Sequence, residues 1–341
     1  MSYGINYNDK KTIHVYSVCY NEEIMLPYFL KHYSKFVDKI TIYDNFSTDN
    51  SVEIIKKYSG VEIIPFNTNN ECAEEELTNL RNNCWKGSTC DWVIVCDIDE
   101  IIYHPYLLDK LYEISDNGYS IIKTVGCQMI SETLPSTHYQ IYNELKMGFY
   151  DIMYSKPCIF NPNKVTELNL TYGSHFLVEP KGEINIFYSS DIKLLHYKHI
   201  SREYETNKNS ENSIRMSEFS RNKGLGSNIH EGNKGVNKYF NENISNTINI
   251  VDADIKSFYN IHRMDINFGV YYKDGKVWIF THTKIDTVIN FYDINDNILY
   301  STTTKFIPGP HFWYLFRYPD NIKIVILDMG NNIIQEKFLK I

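Results

Sequence analysis

Residues 91–100, Asp91-Trp92-Val93-Ile94-Val95-Cys96-Asp97-Ile98-Asp99-Glu100, constrain this chain more than any other stretch. Four apolar residues in a row, Trp92 to Val95, predict a strand buried on both faces, as found inside a parallel sheet covered by helices. That strand runs directly into the acids Asp97, Asp99 and Glu100. The carboxyl ends of such strands are where ligands bind in open α/β sheets. Acids this close would repel one another if left unpaired. A shared divalent cation removes the repulsion, because carboxylate oxygens suit Mg2+ or Mn2+. The segment therefore points to metal-dependent chemistry on a phosphate-bearing substrate.

The flanking sequence supplies the rest of such a sheet. Strands are predicted over 12–19, 39–43, 61–66 and 92–96, alternating with helices that start after Asn21 and span 48–58 and 74–85. Asn21 is expected to cap the first helix, with Glu22 and Glu23 at its positive end. Leu26, Phe29, Leu30, Tyr33 and Val37 then form one apolar face. This β-α-β-α order implies a mostly parallel sheet with right-handed crossovers. A further strand is expected over 119–125, short strands and turns over 126–200, and a polar helical stretch over 201–222. Gly224, Gly226, Gly232 and Gly235 give 222–251 the composition of a linker or lid.

After residue 252 the period changes to two. Hairpins are predicted over 270–279, between 288–292 and 298–301, and between 322–327 and 333–337. The expected architecture is α/β: a Rossmann-like domain over 1–221, a Gly/Asn-rich linker or lid over 222–251, and an all-β accessory domain, a sandwich, over 252–341. Trp278, Trp313, Tyr314 and Phe316 in that last part suit either its core or a glycan-binding face.

The 341 residues carry a net charge of −8 with no Lys/Arg-rich run, which argues against extended nucleic-acid binding. Seven cysteines form an odd set without a C-x-x-C pair. Several lie in apolar strands, where Cys acts as a small hydrophobe, so a reducing compartment and a cytoplasmic protein are expected. The N-terminus lacks the plan of a signal peptide, and no run approaches the length of a membrane span. Peripheral membrane contact stays open.

Tyr20, Asn21 and Glu22 fall where the first strand gives way to a helix, at the ligand-binding edge. Tyr20 suits stacking on a base, and Asn21 suits either a ribose hydroxyl or the helix cap. Asp44 ends the second strand beside Asn45, Ser47 and Asp49, which have the composition of a turn. Arg81 suits a base edge or phosphate, or else an ion pair with Glu75 or Glu76. Together Val18-Cys19-Tyr20-Asn21-Glu22-Glu23, Ile42 to Ser51, Leu80-Arg81-Asn82 and Asp97-Ile98-Asp99 resemble the GT-A glycosyltransferases, in particular the family 2-like branch that uses nucleotide sugars. The resemblance covers 12–125 well, 126–215 loosely and the C-terminal part not at all.

It implies that Asp97 and Asp99 form a D-x-D element holding Mn2+ or Mg2+ against the donor diphosphate, where the ion offsets charge on the leaving group. It also implies that Tyr20, Asn21, Glu22, Asp44 and Arg81 meet the nucleotide, typically a uridine one. Lys156 is expected at a phosphate, and His196 and His175 are the histidines that could complete the metal shell. An inverting transfer needs a carboxylate at the acceptor hydroxyl. Glu132, Glu144, Asp151 and Glu179 are candidates, with Asp151 and Glu179 assigned the role. The expected partners are a nucleotide-sugar donor and a glycan acceptor, with a homodimer possible through the C-terminal domain. The alternatives are a nucleotidyltransferase, against which the acidic, glycine-free first turn argues, and a non-catalytic glycan-binding protein.

Overall fold

A computed structural model of the chain describes residues 11–136, 138–225 and 232–252. Beyond these it describes the strands between 268 and 340 together with 293, 295, 297, 329 and 330. The chain divides into two compact units, Met1–Ala253 and Asp254–Ile341.

In the first unit the elements run β1 (Ile13–Cys19), α1 (Leu26–Tyr33), β2 (Lys39–Asp44), α2 (Ser51–Ile55), β3 (Val61–Pro65), α3 (Glu74–Asn83), β4 (Trp92–Val95), β5 (Glu100–Tyr103) and α4 (Leu107–Asp116). There follow β6 (Ile121–Ile130), α5 (Ile141–Glu144), β7 (Met147–Tyr150), β8 (Ile159–Phe160), β9 (Val165–Glu167), β10 (Lys181–Gly182) and β11 (Ile186–His199). The unit closes with α6 (Arg202–Arg215), α7 (Glu218–Asn222), α8 (Gly232–Asn243) and β12 (Ile248–Asn249).

Strands β3, β2, β1 and β4 lie side by side in that order and all run parallel. This is one half of the doubly wound arrangement, with its ligand edge at the strands' carboxyl ends. β4 is buried on both faces, as its composition requires: Trp92 and Ile94 join the core on one side, Val93 and Val95 the core on the other. Beyond β4 the sheet becomes mixed, with β8 antiparallel to both β4 and β6. β11 runs parallel to β6 and antiparallel to β5, which sets His196 opposite both Glu100 and Gln128.

Two local expectations are corrected. The first helix starts at Leu26, with Met25 in the cap position and no side-chain cap. Asn21 instead takes a left-handed φ of 50°, a conformation Asn tolerates. Its Oδ1 accepts from the Thr48 and Asp49 N–H groups, joining two turns at the sheet edge. The 222–251 stretch, read as a linker or lid, carries α8 and β12. Val236 and Phe240, one helical turn apart, bury against Ile130, and β12 pairs with β7. Glycine and asparagine content hid an apolar i, i+4 pair strong enough to dock the helix.

In the second unit β13 (Phe268–Lys273), β14 (Lys276–Thr281) and β17 (Gly309–Tyr314) form one antiparallel sheet. β15 (Ile285–Tyr292), β16 (Ile298–Phe306), β18 (Asn321–Asp328) and β19 (Ile333–Lys340) form another. Ile289, Phe291, Ile324 and Ile326 are buried. The side chains of Trp278, Trp313 and Tyr314, and Phe316 altogether, lie outside the described residues. All seven cysteines are free. Among the described residues no helix is long and apolar enough to cross a membrane.

Candidate active site

The carboxyl ends of β1 and β4, the end of β11, α3 and one face of α6 enclose a cleft of about 260 Å³. Tyr20, Glu22, Asn45, Glu74, Arg81, Asp97 and Asp99 line it from the sheet side, and Tyr204, Glu205, Lys208, Asn212 and Arg215 from α6. Ser201 caps α6, accepting from the Tyr204 N–H, with Glu203 and Glu205 in its first turn. That cap aims Tyr204, Lys208 and Arg215 from one face at the strand ends.

The two aspartates have different surroundings. Asp97 Oδ1 accepts from Arg81 Nη2 at 2.8 Å, and Asp97 Oδ2 lies 3.6 Å from Lys156 Nζ. Burial alone would raise the Asp97 pKa, but Arg81 and then Lys156 hold it well below the usual carboxylate range. Arg81 also reaches Glu74 at 3.2 Å, so it sits between two carboxylates rather than on Glu75 or Glu76. Lys156 is 4% exposed. Its ammonium is 2.5 Å from Glu100 Oε1, close as an ion pair although not aligned as a hydrogen bond. Glu100 Oε2 accepts from the Asp97 N–H at 3.1 Å. Burial opposes the charge on Lys156, yet Glu100 and Asp97 raise its pKa well above the ordinary value. Lys156, expected at a phosphate, is therefore an internal counter-ion beneath Asp97 and does not line the cleft.

Asp99 is free of such a cage. Its Oδ2 lies 3.3 Å from His196 Nε2. Burial works against its ionisation, and His196 outweighs that and lowers its pKa. The His196 tautomer follows from its other nitrogen. Gln128 Nε2 points to Asp151 Oδ2 at 3.4 Å, and a carboxylate only accepts, so the amide turns its oxygen to His196 Nδ1 at 2.7 Å. Nδ1 then carries a proton, and Nε2 is the nitrogen turned to Asp99. Tyr154, stacked on the ring at 4.2 Å, fixes its plane. The 151–155 segment can pack this closely because Gly126 has no side chain: a Cβ there would sit 2.2 Å from the Tyr154 carbonyl carbon.

Among the described residues no three His, Cys, Asp or Glu side chains converge as a ready cation cage. The donor set that fits a divalent ion is Asp99 with His196, the imidazole oriented through its far nitrogen as metal-binding histidines usually are. Two protein donors leave most of an octahedral shell to substrate oxygens and water. His175 is not brought to this pair. Its Nδ1–H donates to the Met153 carbonyl at 2.6 Å, and burial, reinforced by Lys156, lowers its pKa to about 4.

The remaining expectations sort by position. Glu22 lines the cleft with Oε1 2.7 Å from Lys208 Nζ, and burial lifts its pKa to about 7 despite that partner. Tyr20 also lines the cleft, but the Arg215 guanidinium covers its ring at 3.1 Å, on the face expected to stack on a base. Asn21 is absent from the cleft lining, its amide donating to Glu211 of α6. Asp44 accepts from the Ser47 N–H at 3.3 Å, the turn its neighbours predict, while the adjacent Asn45 lines the cleft. Of the proposed bases, Asp151 caps the short turn 152–154 and holds Gln128, behind His196. Glu179 is exposed on the loop after Leu177. Glu132 pairs with Arg202, and Glu144 accepts from the Ser136 N–H. None of the four lines the cleft.

Sequence reasoning missed Glu74, Gln128, Tyr154, Lys198 and the α6 residues. The available signal for α6 was Tyr204, Lys208, Asn212 and Arg215, ring and polar groups repeating at helical spacing in a helix with no apolar stripe.

Comparison with known proteins bears on the same region. Residues 15–166 match the family model described as glycosyl transferase family 2. Among solved structures, S. aureus TarS 1-349 in complex with UDP-GlcNAc is 16% identical, over 64% of this chain and 72% of that one, with a TM-score of 0.39. S. aureus TarS is 10% identical over 96% of this chain and 77% of that one, with a TM-score of 0.37. Glucosyl-3-phosphoglycerate synthase from Mycobacterium tuberculosis, in complex with Mn2+, UDP and glucosyl-3-phosphoglycerate, is 20% identical over 34% of this chain and 44% of that one, with a TM-score of 0.24. The sequence matches no curated protein. The motif resemblance and the family model coincide: residues 15–166 of this chain match glycosyl transferase family 2.

Proposed function

We propose that this protein transfers a sugar from a nucleoside-diphosphate donor, a UDP-sugar, to a glycan or glycoconjugate acceptor, in a reaction dependent on a divalent cation. The observation that carries this reading is the Asp99–His196 pair, 3.3 Å apart, with Asp99 lining a cleft at the carboxyl ends of β1 and β4. A carboxylate and an imidazole nitrogen are donors that Mn2+ accepts more readily than Mg2+. When bound, the ion would offset the charge on the departing diphosphate.

The chain's own groups do the rest. Arg81 and Lys156 keep Asp97 ionised at any physiological pH, so the negative charge beside Asp99 is permanent. Asn45, Arg215 and Tyr20 form the polar end of the cleft where the nucleoside would lie. An inverting transfer is the stereochemistry carried with this reading. Of the acids lining the cleft, Glu22 has a pKa near 7, suited to taking up a proton from an acceptor hydroxyl.

The test is a thermal-shift screen of nucleotide sugars with and without Mn2+, followed by a transfer assay with the pair that stabilises. Asp99→Ala is expected to abolish transfer while the protein stays folded. Full activity of Asp99→Ala, or turnover undiminished by EDTA, overturns the reading.

A further inference from the structure

The cleft's cations are not equivalent. Arg81 lies between Asp97 and Glu74, Lys208 is bonded to Glu22 and to the Tyr20 and Asn21 carbonyls, and Arg215 covers Tyr20 while donating to Asn45 and Asn70. Each is already engaged with the protein. Lys198 is the exception: it lines the same cleft, yet among the described residues no hydrogen bond or ion pair satisfies its ammonium.

Its position is set by the backbone. On β11 it follows His196 by two residues, where the strand's register with β6 shifts, and its side chain lines the cleft. The intervening Tyr197 N–H donates to the Asp99 carbonyl at 2.8 Å, tying that stretch of strand to the D-x-D turn. Asp99 and Lys198 line one cleft, with His196 3.3 Å from Asp99. The nearest charges acting on Lys198 are Glu205 and Asp99, neither within 4.0 Å. A half-buried ammonium without a partner is unfavourable in the empty protein. It becomes favourable when an anion completes its hydrogen bonds.

We propose that Lys198 is a substrate-contacting residue that binds the donor diphosphate directly and shares the charge this group gains as its bond to the sugar breaks. The assignment rests on the nucleotide-sugar reading above and adds a residue that the D-x-D motif does not include. An ammonium carries three donors on a flexible stem and follows phosphate oxygens as they move, without needing the fixed fork of an arginine.

The test compares the full-length protein with Lys198→Met and Lys198→Arg by calorimetric titration of UDP, GDP and dTDP in Mn2+, each against its nucleoside. Losing one charge-assisted phosphate contact is expected to weaken diphosphate binding about 10- to 100-fold in Lys198→Met. Nucleoside binding should stay unchanged, and Lys198→Arg should recover part of the loss. The melting temperature of Lys198→Met should equal or exceed that of the wild type, because no protein partner is orphaned; a structural lysine would give the opposite. Wild-type diphosphate affinity in Lys198→Met overturns the proposal and leaves the functional reading standing. Wild-type protein that binds none of the three diphosphates overturns both.

Discussion

Replacing Lys156 by methionine separates a lysine that meets substrate from one that neutralises a buried acid. The two side chains are similar in length, so the change removes charge with little change in volume. Glu100, only 1% exposed, would lose the ammonium 2.5 Å away and keep only the Asp97 N–H for its other oxygen. Asp97 would keep Arg81 at 2.8 Å and lose the weaker contact at 3.6 Å. Breaking a buried ion pair from one side costs about 3–5 kcal/mol, because the surviving charge is left in a poorly solvated place. In a unit of this size that corresponds to a fall of about 10 °C in melting temperature. Differential scanning calorimetry of the full chain measures it. Adding Glu100→Gln should restore at least half the loss, since an amide has no charge to strand. If Lys156→Met melts within about 2 °C of the wild type but binds UDP more weakly, the lysine does meet phosphate and the counter-ion argument fails. A double variant no more stable than the single one refutes it equally.

Two further outcomes follow from the same geometry. Gln128→Leu removes the group that fixes the His196 tautomer, so Mn2+ affinity in the presence of UDP should fall about 10- to 100-fold without loss of fold. Unchanged affinity by titration calorimetry would show that Tyr154 stacking alone orients the ring. His32 donates from Nε2 to the Ile102 carbonyl at 2.9 Å, and burial lowers its pKa to about 4 from 6.5. The neutral form is the one the fold accepts. Its contribution is therefore intact above pH 6.5 and is lost as pH falls toward 4, which at about 1.4 kcal/mol per pH unit comes to about 3 kcal/mol. Urea midpoints at pH 7 and 4.5 should show this drop in the wild type and a smaller one in His32→Phe; parallel drops would exclude His32 as the source.

The parallel half of the sheet was legible because its signals are local. Trp92 to Val95 can be buried on both faces only inside a covered sheet, and the strand–helix alternation before them leaves few topologies. The hairpins after residue 268 were legible for the same reason, a two-residue period broken by turns. The start of the first helix was misread because Asn21 has equally good local uses as a helix cap and as a turn bracket. Only Thr48 and Asp49, 27 and 28 residues away, decide between them. α8 was hidden by its composition, since Val236 and Phe240 become informative only once Ile130 stands opposite.

The candidate site divides along the same line. An acidic strand end is written in neighbouring residues, so Asp97, Asp99 and the sheet edge they occupy could be read without coordinates. The resemblance favours Asp99 as the direct ligand, but the reason it is left free could not be read there. Arg81 and Lys156 close on Asp97 from 16 and 59 positions away, while His196 reaches Asp99 because β11 pairs with β5 and β6 in one register. Ionic and hydrogen-bonding partners are chosen by distance in space, and charge falls off too steeply with distance for sequence order to reveal which groups it joins. The chemistry of the strand end belongs to the sequence; the division of labour between its two carboxylates, and the unpaired ammonium of Lys198 beside them, belong to the tertiary fold.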